Sequence, residues 1–261
     1  MSLLEIRSLR VSYGQMPILC DVSFSAERGE MIGILGANGC GKTTMLKAIC
    51  GILPHEGSCL LNGTRLEEQS VRQIAARCAY IPQRSGIGIE ISALDVVLMG
   101  FNPRLGLLEH PNAQMRAQAL AALREVGLGG REHESYLTLS EGQRQLCILA
   151  RTLVSDGQLL LLDEPESALD LRYRDRMLGL LQTWVGQGER VALLTLHDPA
   201  LALQYCDRLL LLHEGKICGM LCPARDEAGD MERALSVIYG EVSLHRCTDR
   251  QGRSRLVMLK E

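Results

Sequence analysis

The sequence predicts an α/β fold built on a mainly parallel sheet, and three observations predict it. Short runs such as residues 159–162 are apolar on both faces, as a central parallel strand requires. These runs alternate with helical patterns, which places helices on both faces of a sheet. A glycine-rich stretch, Gly36-Ala37-Asn38-Gly39-Cys40-Gly41-Lys42-Thr43, stands between a strand pattern and a helix pattern.

Taken in order, residues 22–26 and 31–35 read as strands joined by the turn Arg28-Gly29-Glu30. The glycine-rich loop leads into a helix over 42–50. Residues 59–61, closed by Asn62-Gly63, and residues 78–81 read as further strands. From 85 to 154 the pattern turns helical, with helices over 92–100, 112–126 and 141–154; the second is rich in alanine and other good helix formers. Strands resume at 158–162, 191–196 and 208–212, separated by helices over 169–185 and 199–206. The tail from 226 reads as a helix over 231–239 and two short strands over 241–246 and 255–259. No repeat or low-complexity tract is present.

With 261 residues, 46% of them hydrophobic, the chain can bury roughly three quarters of its unfolded surface, so a substantial core is expected. The net charge of −3 comes from 28 basic and 31 acidic residues without long single-sign blocks. That pattern weighs against a nucleic-acid surface, which needs clustered Lys and Arg. Ten cysteines occur without a CxxC pair, most of them in apolar runs (Cys50, Cys59, Cys78, Cys147, Cys206). Reduced, buried thiols acting as small hydrophobes are therefore expected, in a reducing compartment, ahead of a zinc site or a disulfide framework. Residues 1–10 carry Glu5, Arg7 and Arg10, unlike a secretory signal. No apolar run approaches the ~20 residues that span a bilayer, so membrane association is expected only through a partner protein.

Chemistry enters with the glycine-rich loop, which fits G-x-x-x-x-G-K-[ST] in its required context after a strand and before a helix. Glycines let backbone N–H groups turn inward around phosphate oxygens, and the helix presents its positive N-terminal end. Gly36, Asn38, Gly39, Cys40, Gly41, Lys42, Thr43 and Thr44 are the candidate nucleotide-binding residues. Lys42 is suited to reach the β- and γ-phosphates and the Thr43 hydroxyl to hold Mg2+. Further along, the apolar run 159–162 delivers Asp163-Glu164-Pro165, and sites in parallel sheets form at the carboxyl ends of strands. Adjacent strand residues point to opposite sides, so the two acids need different tasks. Asp163 suits Mg2+ through water, and Glu164 suits polarising an attacking water.

At this point a family resemblance becomes specific. Leu139-Ser140-Glu141-Gly142-Gln143 resembles the LSGGQ signature of ABC (ATP-binding cassette) ATPases, and opens a helix ahead of the acid pair. Tyr80-Ile81-Pro82-Gln83 resembles the family's glutamine loop, Ser167-Ala168-Leu169-Asp170 its D-loop and Thr195-Leu196-His197-Asp198 its switch-histidine segment. Tyr13, in Val11-Ser12-Tyr13-Gly14, matches the aromatic residue that stacks on adenine. These motifs run in family order from about residue 10 to residue 215.

The resemblance implies a P-loop NTPase core, an N-terminal antiparallel β subdomain and an inserted helical subdomain. It divides the chain into 1–84 and 156–221 (core with β subdomain), 85–155 (helical subdomain) and 222–261 (C-terminal extension). It implies a cofactor set of ATP and Mg2+, and a homodimer closing head-to-tail over two ATP molecules. Each ATP would lie between Gly36 to Thr44 of one subunit and Ser140, Gly142 and Gln143 of the other. His197 would contact the γ-phosphate and the attacking water, and Gln83 would link Mg2+ to the helical subdomain. Catalysis would thus rest on Glu164, His197, Gln83 and Lys42, and the metal on Thr43, Gln83 and Asp163. Partners would be transmembrane permease subunits docking on the helical subdomain and a solute-binding protein, at the cytoplasmic face of the membrane.

Two positions depart from the family pattern. Glu141 stands where glycine is usual, placing a carboxylate near the expected γ-phosphate, and Glu166 replaces a more usual Thr, an exchange expected to be harmless. Residues 94–103 and Val237-Ile238-Tyr239-Gly240-Glu241-Val242 are similar to ATPases that import siderophores, haem, cobalamin and related metal chelates. A DNA-repair or translation ATPase of the same fold, or a regulatory cassette, are the other readings. Finally, the Cys40 thiol, beside a helix N-terminus and Lys42, is expected to have a lowered pKa and to be among the most reactive of the ten.

Overall fold

The computed structural model describes residues 2–83, 86–106, 108–167, 169–248, 250, 252 and 254–260. Ala168 of the D-loop segment, residues 84 and 85 at the expected subdomain boundary, and the chain ends 1 and 261 lie outside the described residues.

The chain opens with a long hairpin, β1 (Ser2–Tyr13) and β2 (Met16–Glu27), turned at Gly14. In β2, Val22, Phe24 and Ala26 are buried while Asp21, Ser23 and Ser25 are exposed, the period-two pattern of a strand with one face in a core. Next come β3 (Glu30–Leu35), the glycine-rich loop and α1 (Lys42–Ile49). The short strands β4 (Glu56–Leu61) and β5 (Thr64–Arg65) complete a four-stranded antiparallel sheet of order β2-β1-β4-β5. Then follow α2 (Val71–Arg77), β6 (Cys78–Ile81) and three helices: α3 (Ala93–Leu98), α4 (Ala113–Glu125) and α5 (Glu141–Ser155). The α/β pattern returns with β7 (Leu159–Asp163), α6 (Leu171–Gly186), β8 (Val191–Thr195), α7 (Pro199–Tyr205), β9 (Arg208–His213) and β10 (Lys216–Leu221). The tail is α8 (Ala228–Tyr239) and the hairpin β11 (Val242–Thr248) and β12 (Ser254–Lys260).

The central sheet has the order β10-β9-β3-β8-β7-β6, parallel throughout except for the antiparallel edge strand β10. Its inner strands separate two apolar cores because alternate side chains face opposite ways. Leu160, Leu162, Ala192 and Leu194 pack on one side with α3, α4, α5 and α6. Leu159, Leu161, Val191 and Leu193 pack on the other with β1, β2, β4 and α1. This double burial is why β3, β7 and β8 are apolar along their interiors, with polar residues only at an end (Glu30, Asp163 and Thr195).

Three elements differ from the sequence pattern, each for a local reason. β1 carries irregularities between Ser2 and Leu4, Ile6 and Leu9, Leu9 and Val11, and Val11 and Ser12, which break its alternation. β10 places Gly219 against Leu211, where an apolar side chain would have marked the strand. α2 buries none of its residues and is started by a Ser70–Gln73 capping box rather than by an apolar stripe. The helix expected over 92–100 is also shorter: α3 passes into a 3-10 segment, Met99–Arg104, that contains Pro103.

Candidate nucleotide site

The carboxyl ends of β3, β7 and β8 lie side by side, and the sequence-predicted residues gather there. After β3 the loop has an exposed crown, Ala37, Asn38 and Gly39, over a buried floor of Gly36, Cys40, Gly41 and Lys42. Two glycines are required by geometry. A Cβ at Gly36 would sit 2.3 Å from the Leu212 carbonyl oxygen, and Gly41, which caps α1, has φ 109°. Lys42 is 5% exposed, and its Nζ donates to the carbonyl oxygens of Gly36 (2.8 Å) and Ala37 (3.2 Å). Among the described residues no carboxylate pairs with this buried ammonium. A buried cation satisfied only by carbonyl dipoles is a seat prepared for an anion.

Asp163 ends β7 opposite Thr195 of β8 and is 4% exposed. Its Oδ1 accepts hydrogen bonds from the hydroxyls of Thr43 and Thr195, each at 2.9 Å, and its Oδ2 accepts from the Tyr80 hydroxyl at 3.3 Å. Glu164 takes the left-handed conformation (φ 48°), unusual for a residue other than glycine. Its N–H donates to the Thr195 hydroxyl at 2.8 Å. The turn aims its carboxylate at a different set of partners: His197 Nε2 at 2.6 Å and the Gln83 amide, which donates to the second oxygen. The acid pair is thus split as adjacent strand residues should be. One carboxylate joins the loop threonine, and the other joins the histidine and the glutamine.

The signature residues stand apart. Ser140 caps α5 by accepting from the Gln143 N–H (3.3 Å), while the Gln143 side-chain oxygen accepts from the Ser140 N–H (2.9 Å). Among the described residues, no hydrogen bond or ion pair joins Ser140, Gly142 or Gln143 to the loop. Glu141 occupies the first turn of α5, where a negative charge suits the helix dipole. It faces Arg144 at 3.8 Å. Tyr13 ends β1 with its side chain exposed. Thr44 follows in the first turn of α1.

Two expectations change. The Cys40 thiol is buried, 9% exposed, and packs so closely over Gly36 that a Cβ there would lie 2.6 Å from its sulfur. Burial pushes its pKa up, outweighing the lowering by Lys42, so it is not the activated thiol the helix end suggested. The exposed cysteines are Cys218 and Cys247. Glu166 is no idle replacement either. It is 3% exposed, and its Oε1 accepts the backbone N–H of His197 at 3.1 Å while Oε2 has no hydrogen-bond partner among the described residues. Burial raises its carboxyl pKa, against the opposing influence of the His197 N–H and ring. Sequence reasoning gave Thr195, Tyr80 and Glu166 no role of their own. For Thr195 and Tyr80 the signal was position at strand ends beside Asp163.

Comparison with known proteins agrees with this geometry. The family described as ABC transporter matches residues 19–167. The zinc transport system ATP-binding protein TroB of Treponema pallidum is 37% identical over 187 residues, 70% of this chain and 68% of its own length. The hemin import ATP-binding protein HmuV of Pseudomonas fluorescens is 40% identical over 194 residues, 71% and 74% of the two chains. Among solved structures, a chain of an ABC transporter described as metal-chelate type, in an inward-facing conformation, superposes with a TM-score of 0.83. It is 25% identical and covers 100% of this chain and 99% of its own. At this extent of likeness the chain belongs to the ABC transporter family, as one of its ATP-hydrolysing ATP-binding subunits.

Proposed function

We propose that the chain powers an importer of a metal chelate, such as an iron-siderophore, haem or cobalamin. Relatives named for hemin and zinc transport, and the similarity of residues 94–103 and 237–242 to that group, support this reading. The observation that carries the catalytic part is the buried Lys42 without a carboxylate partner beside an acid pair already split between two bonding sets.

In this reading Gly36, Asn38, Gly39, Cys40, Gly41, Lys42, Thr43 and Thr44 hold the phosphates, and Tyr13 stacks on the adenine. Thr43, Asp163 and Gln83 would hold the Mg2+ that neutralises phosphate charge; the Thr43–Asp163 bond, which places two hard oxygen donors together, supports this for the first two. Glu164 polarises the attacking water, and His197 orients it against the γ-phosphate. Thr195 and Tyr80 fix the Asp163 carboxylate, and Glu166 fixes the backbone at His197. Ser140, Gly142 and Gln143 serve the ATP of a second copy, so the working unit is a homodimer. Residues 1–84 and 156–221 form the core with its β subdomain, 85–155 the helical subdomain and 222–261 an extension.

Among the described residues no helix is long and apolar enough to cross a membrane. Attachment to the cytoplasmic face through permease subunits on the helical subdomain, with a solute-binding protein in the assembled system, follows from the same reading. The test is affinity capture of the tagged chain from detergent-extracted membranes. A co-purifying multi-span membrane protein together with ATP turnover is expected. Capture of nucleic acid or ribosomal material instead would favour a repair or translation ATPase, and a captured membrane protein without turnover would favour a regulatory cassette.

A further inference from the structure

A second constellation lies away from the nucleotide site, where α1 runs out toward β4. The Asn62-Gly63 turn, with φ of 52° and 73°, folds β5 back on β4, and the following 3-10 turn, Leu66–Glu68, brings Glu67 over the strand. There Glu67 Oε1 accepts the Cys59 N–H at 2.6 Å and lies 3.0 Å from His55 Nε2. Cys59 Sγ lies 3.7 Å from the same Nε2. The three potential ligand atoms are all within 4.8 Å of one another.

The S···N separation of 3.7 Å is that of a tetrahedral zinc face, and the N···O separation of 3.0 Å, a hydrogen-bond distance, would open slightly to reach it. Zinc bond lengths of about 2.3 Å to sulfur, about 2.05 Å to imidazole nitrogen and about 2.1 Å to carboxylate oxygen give edges of about 3.6 Å for S···N and about 3.4 Å for N···O. The surroundings orient the ligands. The 3.0 Å contact is that of the His55 Nε2–H donating to Glu67 Oε1, while Nδ1 faces the Leu53 carbonyl oxygen at 3.4 Å; a metal taking Nε2 would move the ring proton to Nδ1, where that carbonyl can accept it. The other Glu67 oxygen faces Arg65 Nε at 3.6 Å. Cys59 is fully buried, the His55 side chain is 7% exposed and that of Glu67 24%, so a cation would arrive past Glu67. A thiolate and an imidazole beside one carboxylate select against Mg2+, Ca2+ and Mn2+, which prefer oxygen.

We propose that His55, Cys59 and Glu67 form a binding site for a borderline-soft divalent cation, with Zn2+ the best fit and a fourth position left for water. On binding, the Cys59 S–H proton is released to solvent and the metal takes its place on sulfur. The ion would pin the exit of α1 to β4 and to the 3-10 turn. None of the three residues belongs to the nucleotide machinery, so the site is structural or regulatory, and stabilises the fold by mass action. Its spacing, His-x3-Cys-x7-Glu, matches none of the usual zinc patterns, which is why the sequence alone favours inert thiols.

The experiment is titration of the reduced, nucleotide-free full chain with Co2+, followed by the thiolate-to-cobalt band in the near ultraviolet and the intense visible bands of a tetrahedral site. One equivalent should bind and be displaced by Zn2+. Cys59→Ser should abolish the thiolate band, and His55→Ala and Glu67→Gln should each weaken Co2+ binding about tenfold or more. The double variant Cys218→Ser/Cys247→Ser should behave as wild type. Because Cys59→Ser alters a core position, a second readout uses His55→Ala: Zn2+ should raise the wild-type Tm clearly more than that of the variant, with MgATP turnover of the metal-free proteins equal. A purely octahedral cobalt spectrum, a thiolate band that survives Cys59→Ser or vanishes with Cys218 and Cys247, or an equal Zn2+ effect on Tm in wild type and His55→Ala would overturn the proposal.

Discussion

The two halves of the proposed nucleotide site are built differently. On the loop side, Thr43, Asp163, Glu164, Thr195 and His197 gather where β3, β7 and β8 end and are linked by hydrogen bonds, while Lys42 donates to the loop carbonyls of Gly36 and Ala37. On the signature side, the side chains of Ser140 and Gln143 cap each other's backbone N–H at the start of a helix whose buried face lies further along, at Gln145 to Ala150. The first half is held by the packing of the central sheet, and the second is a helix end presented outward. The difference teaches that one chain is organised to hold phosphate and acid, whereas the signature can act only on something brought to it. That division is what the proposed dimer requires.

The largest expected effect falls on the loop side. Lys42→Ala removes the one cation fixed among the loop carbonyls. A charge-assisted hydrogen bond is worth about 1.5–3 kcal/mol, and each 1.4 kcal/mol is a factor of ten, so ATP affinity should fall about 10- to 100-fold. Equilibrium binding of ATP to the purified variant checks this, and unchanged affinity would remove the loop from the binding role.

How much of this was legible beforehand follows the same division. The loop and the acid pair are contiguous in sequence, and their chemistry dictates their spacing, so each could be read where it stands. The apolar strands were legible because burial on both faces leaves no polar positions to confuse the period. What stayed hidden depends on tertiary packing. The bulged β1 lost its alternation, and the burial of Cys40 follows from its seat on Gly36 rather than from its helix end. Glu166 gained a partner only because β8 brings the His197 backbone to it. The His55–Cys59–Glu67 cluster required the hairpin turn at Asn62-Gly63.

A smaller effect should sharpen the account of the loop side. Burial raises the Glu166 pKa in the folded chain, so its contribution to stability is fully present below the ordinary glutamate range and is lost as pH rises through the raised value. Glu166→Gln cannot ionise. The Tm of wild type should therefore fall relative to that of the variant as pH rises from mildly acidic toward neutral. The expected size is a few degrees, since about 1 kcal/mol moves Tm by about 2–4 °C in chains of this size. Parallel melting curves across that range would show that Glu166 titrates alike in the folded and unfolded chain.

The smallest effect belongs to the signature side. Glu141 is exposed and faces Arg144, so its charge is partly balanced within its own chain. Exposed pairs contribute about 0–1 kcal/mol. Glu141→Gly should accordingly raise ATP-driven dimerisation by no more than about fivefold, with the gain larger at low salt, where charge is less screened. Equal dimerisation constants for both chains at low and high salt would mean that the carboxylate does not meet the nucleotide.

The central claim is that Glu164, turned by its left-handed backbone toward His197 and Gln83, acts in hydrolysis and not in binding. Glu164→Gln keeps the size of the side chain and one accepting oxygen while removing its basicity. Nucleotide affinity and steady-state ATP turnover, measured on the same preparation with and without the substitution, separate the two roles. The account predicts ATP affinity within a factor of about two of wild type and turnover reduced about 100-fold or more, the loss expected for a general base. Turnover at the wild-type rate in Glu164→Gln would contradict it.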